Sequence, residues 1–435
     1  MKISLINHGC AKNLIDAELM LGVIAKEGYQ VTLDDNDADI VIVNTCSFIH
    51  DAEKESVQSI LELIDSGKKV IVAGCLSQKH HHELKDAIPE LAGMIGTSNI
   101  KDLVNVIKCI ENNNTYASYV NEIPKYIYPE DVERQQITMG ASSYLKIGEG
   151  CNYKCGYCII PNLRGKYISR PIENIVNEAK SLVKKGVTEI ILIAQDTSSY
   201  GLDLYGKQAL PKLLRELNEI NNLSWIRIMY AYPSQMTDEL IDAIAKLDKV
   251  VKYVDIPLQH SHPRVLESMR RPVMDYKELI SKIRNKIPDV SIRTSLVVGY
   301  PGETEEEFEH LYNFVKEVRF DRMGAFEYSK EKNTYSYKLK GHLPAKVKKE
   351  RRNRLMQLQQ QISLENNQNR IGKTLECIVE GVTDDGVVIM RSEYDAPEID
   401  GVVYASSTRQ VVPGDIENVI ITNADEYDLF GEIID

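Results

Sequence analysis

The chain has 435 residues, 43% of them hydrophobic, with 52 basic and 64 acidic side chains and a formal charge of −12. That length exceeds one compact core and implies two or three domains, while no apolar run reaches the length of a membrane span. The N-terminus lacks the charged, apolar and small-residue order of a signal peptide, so the chain is expected in the cytoplasm. Thiols stay reduced there, and eight cysteines read as metal ligands rather than disulfides.

In chain order, strand-length apolar runs at Ile3 to Ile6, Ile40 to Val43 and Val70 to Ala73 alternate with helical patterns at Leu14 to Ala25, Ala52 to Ile64 and His81 to Ala87. This rhythm predicts an N-terminal doubly wound α/β domain over 1–115, a parallel sheet whose strand ends share one ligand-binding edge. Cys10, Cys46 and Cys75 each stand just past one of these strands. Three thiols far apart in sequence are thereby expected to become neighbours; the alternative is three ordinary buried cysteines. Gly9 and Gly74 would let backbone approach a bulky group closely. The His80-His-His82 run reads as surface, because consecutive residues on a helix do not face one ion.

A tyrosine-bearing, proline-punctuated stretch over 116–137 lacks a clear period and reads as a linker. Strand candidates then follow at Tyr144 to Ile147, Glu189 to Ala194, Trp225 to Tyr230, Lys252 to Ile256, Ser291 to Val298 and Arg322 to Tyr328. Six βα units over 138–368 suit a partial (β/α)6 barrel, whose active site collects where strands end. The loop after its first strand is Glu149-Gly-Cys-Asn-Tyr-Lys-Cys-Gly-Tyr-Cys158. The spacing of Cys151, Cys155 and Cys158 has no fourth local ligand of the kind structural zinc needs. Three thiolates can hold a four-iron cluster with one iron open to a small molecule.

Other barrel strand ends carry weaker signals. Gln195 and Asp196 follow the second strand and could receive an amino group, and Gly299 could admit a ring edge. His260 and His262 are general-base candidates that read better as hydrogen-bonded structural histidines. Arg293 fits either a buried ion pair or a ligand carboxylate. Thr304 and Glu307 have capping-box spacing. The basic run from Lys346 to Arg354 could touch RNA phosphates, but without interleaved aromatics it reads as a solvated helix face.

Over 370–435, short strand patterns between glycine and acidic turns predict a small all-β, OB-like barrel. From Ile371 onward fifteen acidic residues face three basic ones, a balance of −12 that equals the charge of the whole chain. Such a domain would attract a basic partner and repel nucleic acid.

The loop from Cys151 to Cys158 resembles that of the radical S-adenosylmethionine (radical SAM) superfamily. That resemblance implies a [4Fe-4S] cluster that cleaves S-adenosyl-L-methionine to a 5′-deoxyadenosyl radical. With Gly9-Cys-Ala-Lys-Asn-Leu14, Val43-Asn-Thr-Cys46, Ala73-Gly-Cys75 and the C-terminal barrel, which resembles a TRAM domain, essentially the whole chain is similar to the methylthiotransferase family. The family implies a second [4Fe-4S] cluster on Cys10, Cys46 and Cys75, and two uses of S-adenosyl-L-methionine, as methyl donor and as radical source. The stretches Cys158-Ile-Ile-Pro-Asn-Leu-Arg-Gly165, Ile193-Ala-Gln-Asp-Thr-Ser198 and Arg391-Ser-Glu-Tyr-Asp-Ala-Pro-Glu-Ile-Asp-Gly401 resemble the branch that methylthiolates the β-carbon of an aspartate in a basic small-subunit ribosomal protein, free or assembled. The electron donor and the sulfur donor stay unidentified. The rival readings are a transfer RNA adenosine methylthiotransferase and a non-catalytic iron–sulfur redox sensor.

Overall fold

A computed structural model describes residues 1–47, 50–113, 115–137 and 140–434, with the side chains of 50, 51 and 113 left out. The expected domain limits at 138 and 435 fall outside the described residues. The chain divides into two compact units, one made of residues 1–139, 148–154 and 158–170, the other of 140–147, 155–157 and 171–435.

The first unit holds a parallel six-stranded sheet ordered β2-β1-β3-β4-β5-β6. Its strands are β1 (Lys2–Asn7), β2 (Gln30–Val31), β3 (Ile40–Thr45), β4 (Lys69–Gly74), β5 (Gly93–Ile95) and β6 (Ala117–Tyr119), with helices α1 (Ala11–Lys26), α2 (His50–Asp65), α3 (Cys75–Ala87) and α4 (Leu103–Asn113). The central strands are buried, β3 throughout and β4 from Val70 onward, as continuous Ile and Val runs demand when helices cover both faces. Three short strands escape the periodicity analysis, since two or three residues carry no period.

The stretch expected to be a linker is instead packed onto this unit. Ala117–Tyr119 pairs in parallel with β5. Tyr126 is buried and its hydroxyl donates to Asp16 at 3.0 Å, and buried Arg134 pairs with Glu18 at 3.1 Å. Gly22 of α1 leaves room for the Glu133 carbonyl, which a Cβ would meet at 2.3 Å.

The second unit begins with β7 (Ser142–Lys146); β8 (Gly148–Glu149), α5 (Ile160–Arg164) and β9 (Ile168–Ser169) belong to the first. Next come α6 (Ile172–Lys184), β10 (Glu189–Ile193), α7 (Leu202–Tyr205), α8 (Leu210–Asn218), β11 (Trp225–Ile228), α9 (Asp238–Lys246), β12 (Tyr253–Asp255), α10 (Pro263–Ser268), α11 (Tyr276–Lys286), β13 (Ser291–Val298), α12 (Glu305–Val318) and β14 (Arg322–Glu327). Strands β7, β10 and β11 form one parallel sheet and β12, β13 and β14 another. Backbone bonds such as Ala231 N–H to the Asp255 carbonyl at 2.9 Å link them, which gives the open six-stranded barrel.

Helix α13 (Ala345–Gln368) follows, then a closed five-stranded barrel of β15 (Thr374–Val382), β16 (Val388–Ser392), β17 (Val403–Ser406), β18 (Ile416–Ala424) and β19 (Leu429–Ile433). The basic run on α13 is a solvated face only in part: Lys346, Lys349 and Arg352 are exposed, while the other three basic residues are engaged. Arg351 pairs with Glu303 and Glu305, Arg354 with Glu305 and Glu309, and Lys348 donates to the Tyr328 carbonyl at 2.8 Å. The capping box of Thr304 and Glu307 opens α12 as its spacing requires.

The small barrel abuts the amino-terminal ends of the large barrel's strands through buried ion pairs. Glu189 lies between Arg227, at 2.8 Å, and Arg391, and all three side chains are fully buried. Arg322 pairs with Asp395 at 2.5 Å, and Arg293 with Asp255 at 3.0 Å and Asp400 at 3.6 Å. Of the two readings open for Arg293, the structure shows the buried ion pair. Trp225 Nε1 donates to Glu376 at 2.8 Å. The stretch from Arg391 to Gly401 thus forms interior contacts, and part of the acidic charge assigned to a partner is spent inside the protein.

Candidate metal and cofactor centres

The parallel register of β1, β3 and β4 sets Asn7 opposite Asn44 and Thr45 opposite Gly74. The residues that follow these strands therefore emerge at one edge. Cys10 is the N-cap of α1, Cys46 directly follows β3, and Cys75 directly follows β4 as the first residue of α3. Asn13 joins them. Its buried side chain donates to the Thr45 carbonyl at 2.9 Å, and its Oδ1 lies 3.8 Å from Cys10 Sγ and 3.9 Å from Cys75 Sγ. Asn44 donates to the Asn13 carbonyl at 2.7 Å.

The two glycines here are required by shape. Gly9, at φ +124°, could carry a Cβ only 2.9 Å from Asn13 and 3.1 Å from the Cys46 Cβ; Gly74, at φ +93°, only 2.6 Å from Asn44 and 2.7 Å from the Thr45 carbonyl. Cys10 is exposed at the sheet edge; crowding by its neighbours opposes its ionisation, yet Lys12, Arg164 and the amides of Asn13 and Lys12 hold its thiol below the ordinary value. Burial pushes the Cys75 thiol up to about 11 despite Arg164. Among the described residues no three His, Cys, Asp or Glu side chains are drawn closely enough around one point to hold a metal ion. The all-sulfur donor set, glycine-lined on two sides, nonetheless fits a soft-metal or iron–sulfur group better than a hard cation.

In the same unit, the Cys151 amide donates to the Gly165 carbonyl at 3.1 Å, and the Ile160 amide donates to Cys158 Sγ at 3.4 Å. Gly150, at φ +78°, lies where a Cβ would meet the Lys166 carbonyl at 2.2 Å. In the second unit, buried Arg271 reaches Cys155 Sγ at 3.9 Å and stacks over Tyr232. The Gly156 amide donates to the Met269 carbonyl at 2.7 Å, and Tyr300 and Ser268 leave no room for a side chain there. Amide and guanidinium donors at the sulfurs suit an iron–sulfur cluster, whose sulfurs accept such bonds.

The other expected site residues fare differently. Gln195 stands two residues past the end of β10 and is half-buried. Asp196 is buried, and both its carboxylate oxygens already accept from Ser198 and Ser199. The Cβ side of Gly299 is filled by the Lys348 stem at 2.2 Å, so that side has no room for a ring edge. His260 is wholly buried, accepts from the His262 amide at 2.9 Å, and is pushed by burial and His262 down to about 3. It is a neutral structural histidine. His80, inside α3, pairs with Glu53 at 2.8 Å rather than standing free on the surface.

Asn13, Arg164 and Arg271 escaped motif reasoning because amide and guanidinium groups are not ligands. Only their places within the Gly9 to Leu14 and Cys158 to Gly165 motifs hinted at the first two.

Residues 145–315 match the radical SAM superfamily, 2–96 the uncharacterized protein family UPF0004, and 371–434 the TRAM domain. The chain is 47% identical over 436 residues, 99% of both chains, to a protein of Thermoanaerobacter sp. named ribosomal protein uS12 methylthiotransferase RimO. It is 45% identical to the protein of that name from Clostridioides difficile, covering 100% of this chain and 99% of the relative. A radical S-adenosylmethionine methyltransferase, TsrM from Kitasatospora setae, solved with tryptophan and a SAM analog, shares the fold at TM-score 0.56 and 16% identity, over 74% of this chain and 72% of its own. No described helix is long and apolar enough to cross a membrane.

Proposed function

For a chain that belongs to the RimO family of radical SAM methylthiotransferases, we propose that it methylthiolates the β-carbon of an aspartate in ribosomal protein uS12, acting in the cytoplasm. The observation that carries this reading is the pair of cysteine trios, Cys10, Cys46 and Cys75 at one sheet edge and Cys151, Cys155 and Cys158 after the first barrel strand. Each trio would hold a [4Fe-4S] cluster. When bound, the clusters and S-adenosyl-L-methionine supply a radical able to take hydrogen from an unactivated carbon and a sulfur able to be methylated and transferred, chemistry no side chain here can supply. The chain's own residues position and shield. Gly9, Gly74 and Gly150 keep the sites narrow, Asn13 and Arg271 orient thiols, and Gln195 and Asp196 shape a cofactor-facing strand end in which Asp196 acts through Ser198 and Ser199. Gly299 contributes by admitting Lys348 rather than a ring.

The domains of this reading are 1–115, 138–368 and 370–435, with 116–137 as a packed connector. Acids of the last domain that stay exposed and outside its ion pairs, among them Asp384, Asp385, Glu398 and Glu432, favour a lysine- and arginine-rich protein over RNA. Mass spectrometry of uS12 from cells with and without this chain tests the proposal. The methylthio-aspartate mass shift is expected to vanish with the chain; its persistence would refute the substrate, and steeply salt-dependent binding of transfer RNA would point to the adenosine branch instead.

A further inference from the structure

Arg164 closes α5, six residues after Cys158, and its side chain is buried. One terminal nitrogen donates to Asn13 Oδ1 at 2.6 Å and to Cys75 Sγ at 3.4 Å. The other donates to Asp16 at 2.5 Å and Glu149 at 3.4 Å. The helix that carries it is anchored to the same unit. The Thr97 hydroxyl donates to the Leu163 carbonyl at 2.6 Å, Ile159 and Leu163 form an apolar cluster with Cys75, and Gly165, at φ +77°, faces the Pro124 carbonyl where a Cβ would lie at 2.1 Å.

We propose that Arg164 is a positioning residue for the N-terminal cluster: its guanidinium is the cationic donor to the Cys75 sulfur, and through it sets that cluster's retention and reduction potential. The inference rests on the two-cluster reading above. A thiol can give its proton to Asn13 Oδ1, but a thiolate ligand cannot donate and needs a donor in return. Arg164 supplies one from the same nitrogen that fixes Asn13. Its charge is balanced by Asp16 and Glu149, and only a planar fork with several N–H groups can serve four acceptors at once; a lysine ammonium cannot. Donors to cluster sulfurs favour the reduced, more electron-rich state, so losing one lowers the potential. Because Glu149 and Arg164 flank the loop from Cys151 to Cys158, the same contacts give the backbone beside Cys158 and the sulfur of Cys75 a common frame.

The test uses the full-length chain, reconstituted anaerobically with iron and sulfide, as wild type and R164K. Iron is counted, and each cluster is followed through a redox titration by electron paramagnetic resonance, with C151A/C155A/C158A chains isolating the N-terminal signal. R164K is expected to shift the midpoint of the N-terminal cluster to more negative potential, or to lose that cluster and about half the iron, while the other cluster's midpoint stays put. If R164K fails to fold, R164Q/D16N, which removes the donor together with one of its carboxylates, is read the same way. Unchanged potential, spectrum and iron count, with or without a lower melting temperature, would overturn the inference. A wild-type count near four rather than about eight irons would refute the two-cluster reading itself and this inference with it.

Discussion

The two cysteine trios are held by opposite means. Cys10, Cys46 and Cys75 are brought together by the register of three parallel strands, across 65 positions of chain, and Asn13 spans the gap. Cys151, Cys155 and Cys158 lie within eight residues of one another, on a loop that turns at Gly150, φ +78°, and in which Gly156 is crowded by Tyr300. Their arginines differ as well. Arg164 meets two carboxylates beside Cys75, whereas Arg271 has no carboxylate partner among the described residues and rests against Tyr232 and the Pro257 carbonyl. A site assembled from distant strands depends on the whole sheet, while one written on a loop depends on local backbone.

The largest test of that contrast is to remove one sulfur from each trio. C75A and C155A should each abolish methylthiolation and lower the iron count from about eight to about four per chain. Only C75A should still cleave S-adenosyl-L-methionine, read as 5′-deoxyadenosine released. If C155A also cleaved it, the division of labour would be wrong.

Next in size is the buried charge that seats the small barrel. Glu189→Ala leaves buried Arg227 without its carboxylate and Arg391 with Glu380 alone, and should cost about 3–5 kcal/mol in urea unfolding. The methionine cofactor should still be cleaved by whatever fraction remains folded. Arg391 keeps Glu380 at 2.7 Å, so the deficit falls on Arg227; a loss under about 1 kcal/mol would mean that water satisfies it.

A third effect depends on pH. Buried His260, next to His262 and Glu303, titrates near 3 when folded, against 6.5 as its ordinary value. The folded state therefore binds fewer protons than the unfolded one between those values. Stability is full above pH 6.5 and drains as pH falls, by about 3 kcal/mol on reaching pH 4. His260→Gln should flatten that slope in melts recorded from pH 7 to 4. Burial works against Glu189 too, but Arg391 and Arg227 hold it down to about 2. Its contribution, present above pH 4.5, is lost only in stronger acid, so the two groups separate along the pH axis.

The smallest expected effect is at the surface. Reversing exposed Asp384 and Asp385 to lysine should slow capture of the basic substrate by a few-fold at low salt and by little at high salt, with the unfolding free energy unchanged within about 0.5 kcal/mol. Salt-independent capture would remove electrostatics from recognition.

How much of this was legible depends on range. The long Ile and Val strands, the glycines beside the cysteines and the capping box at Thr304 carry their physics in adjacent residues and are legible there. Strands of two or three residues, such as Gln30–Val31 and Gly93–Ile95, exist only because a neighbour supplies hydrogen bonds. The connector through Tyr126 and Arg134 looked aperiodic because its partners, Asp16 and Glu18, lie more than a hundred residues earlier. Charge misled in the same way. Arg351 and Arg354 read as a solvated stripe until α12 presented its glutamates, and the acidic tail read as wholly outward-facing until Asp395 and Asp400 met their arginines.

Trp225 is the only tryptophan of the chain, is almost fully buried, and donates to Glu376 of the small barrel. The protein therefore contains an intrinsic optical probe at the seam between its two barrels. Indole emission there should be blue-shifted while the seam is closed and move to the red as soon as water enters. Seam opening can then be timed in stopped-flow without a label.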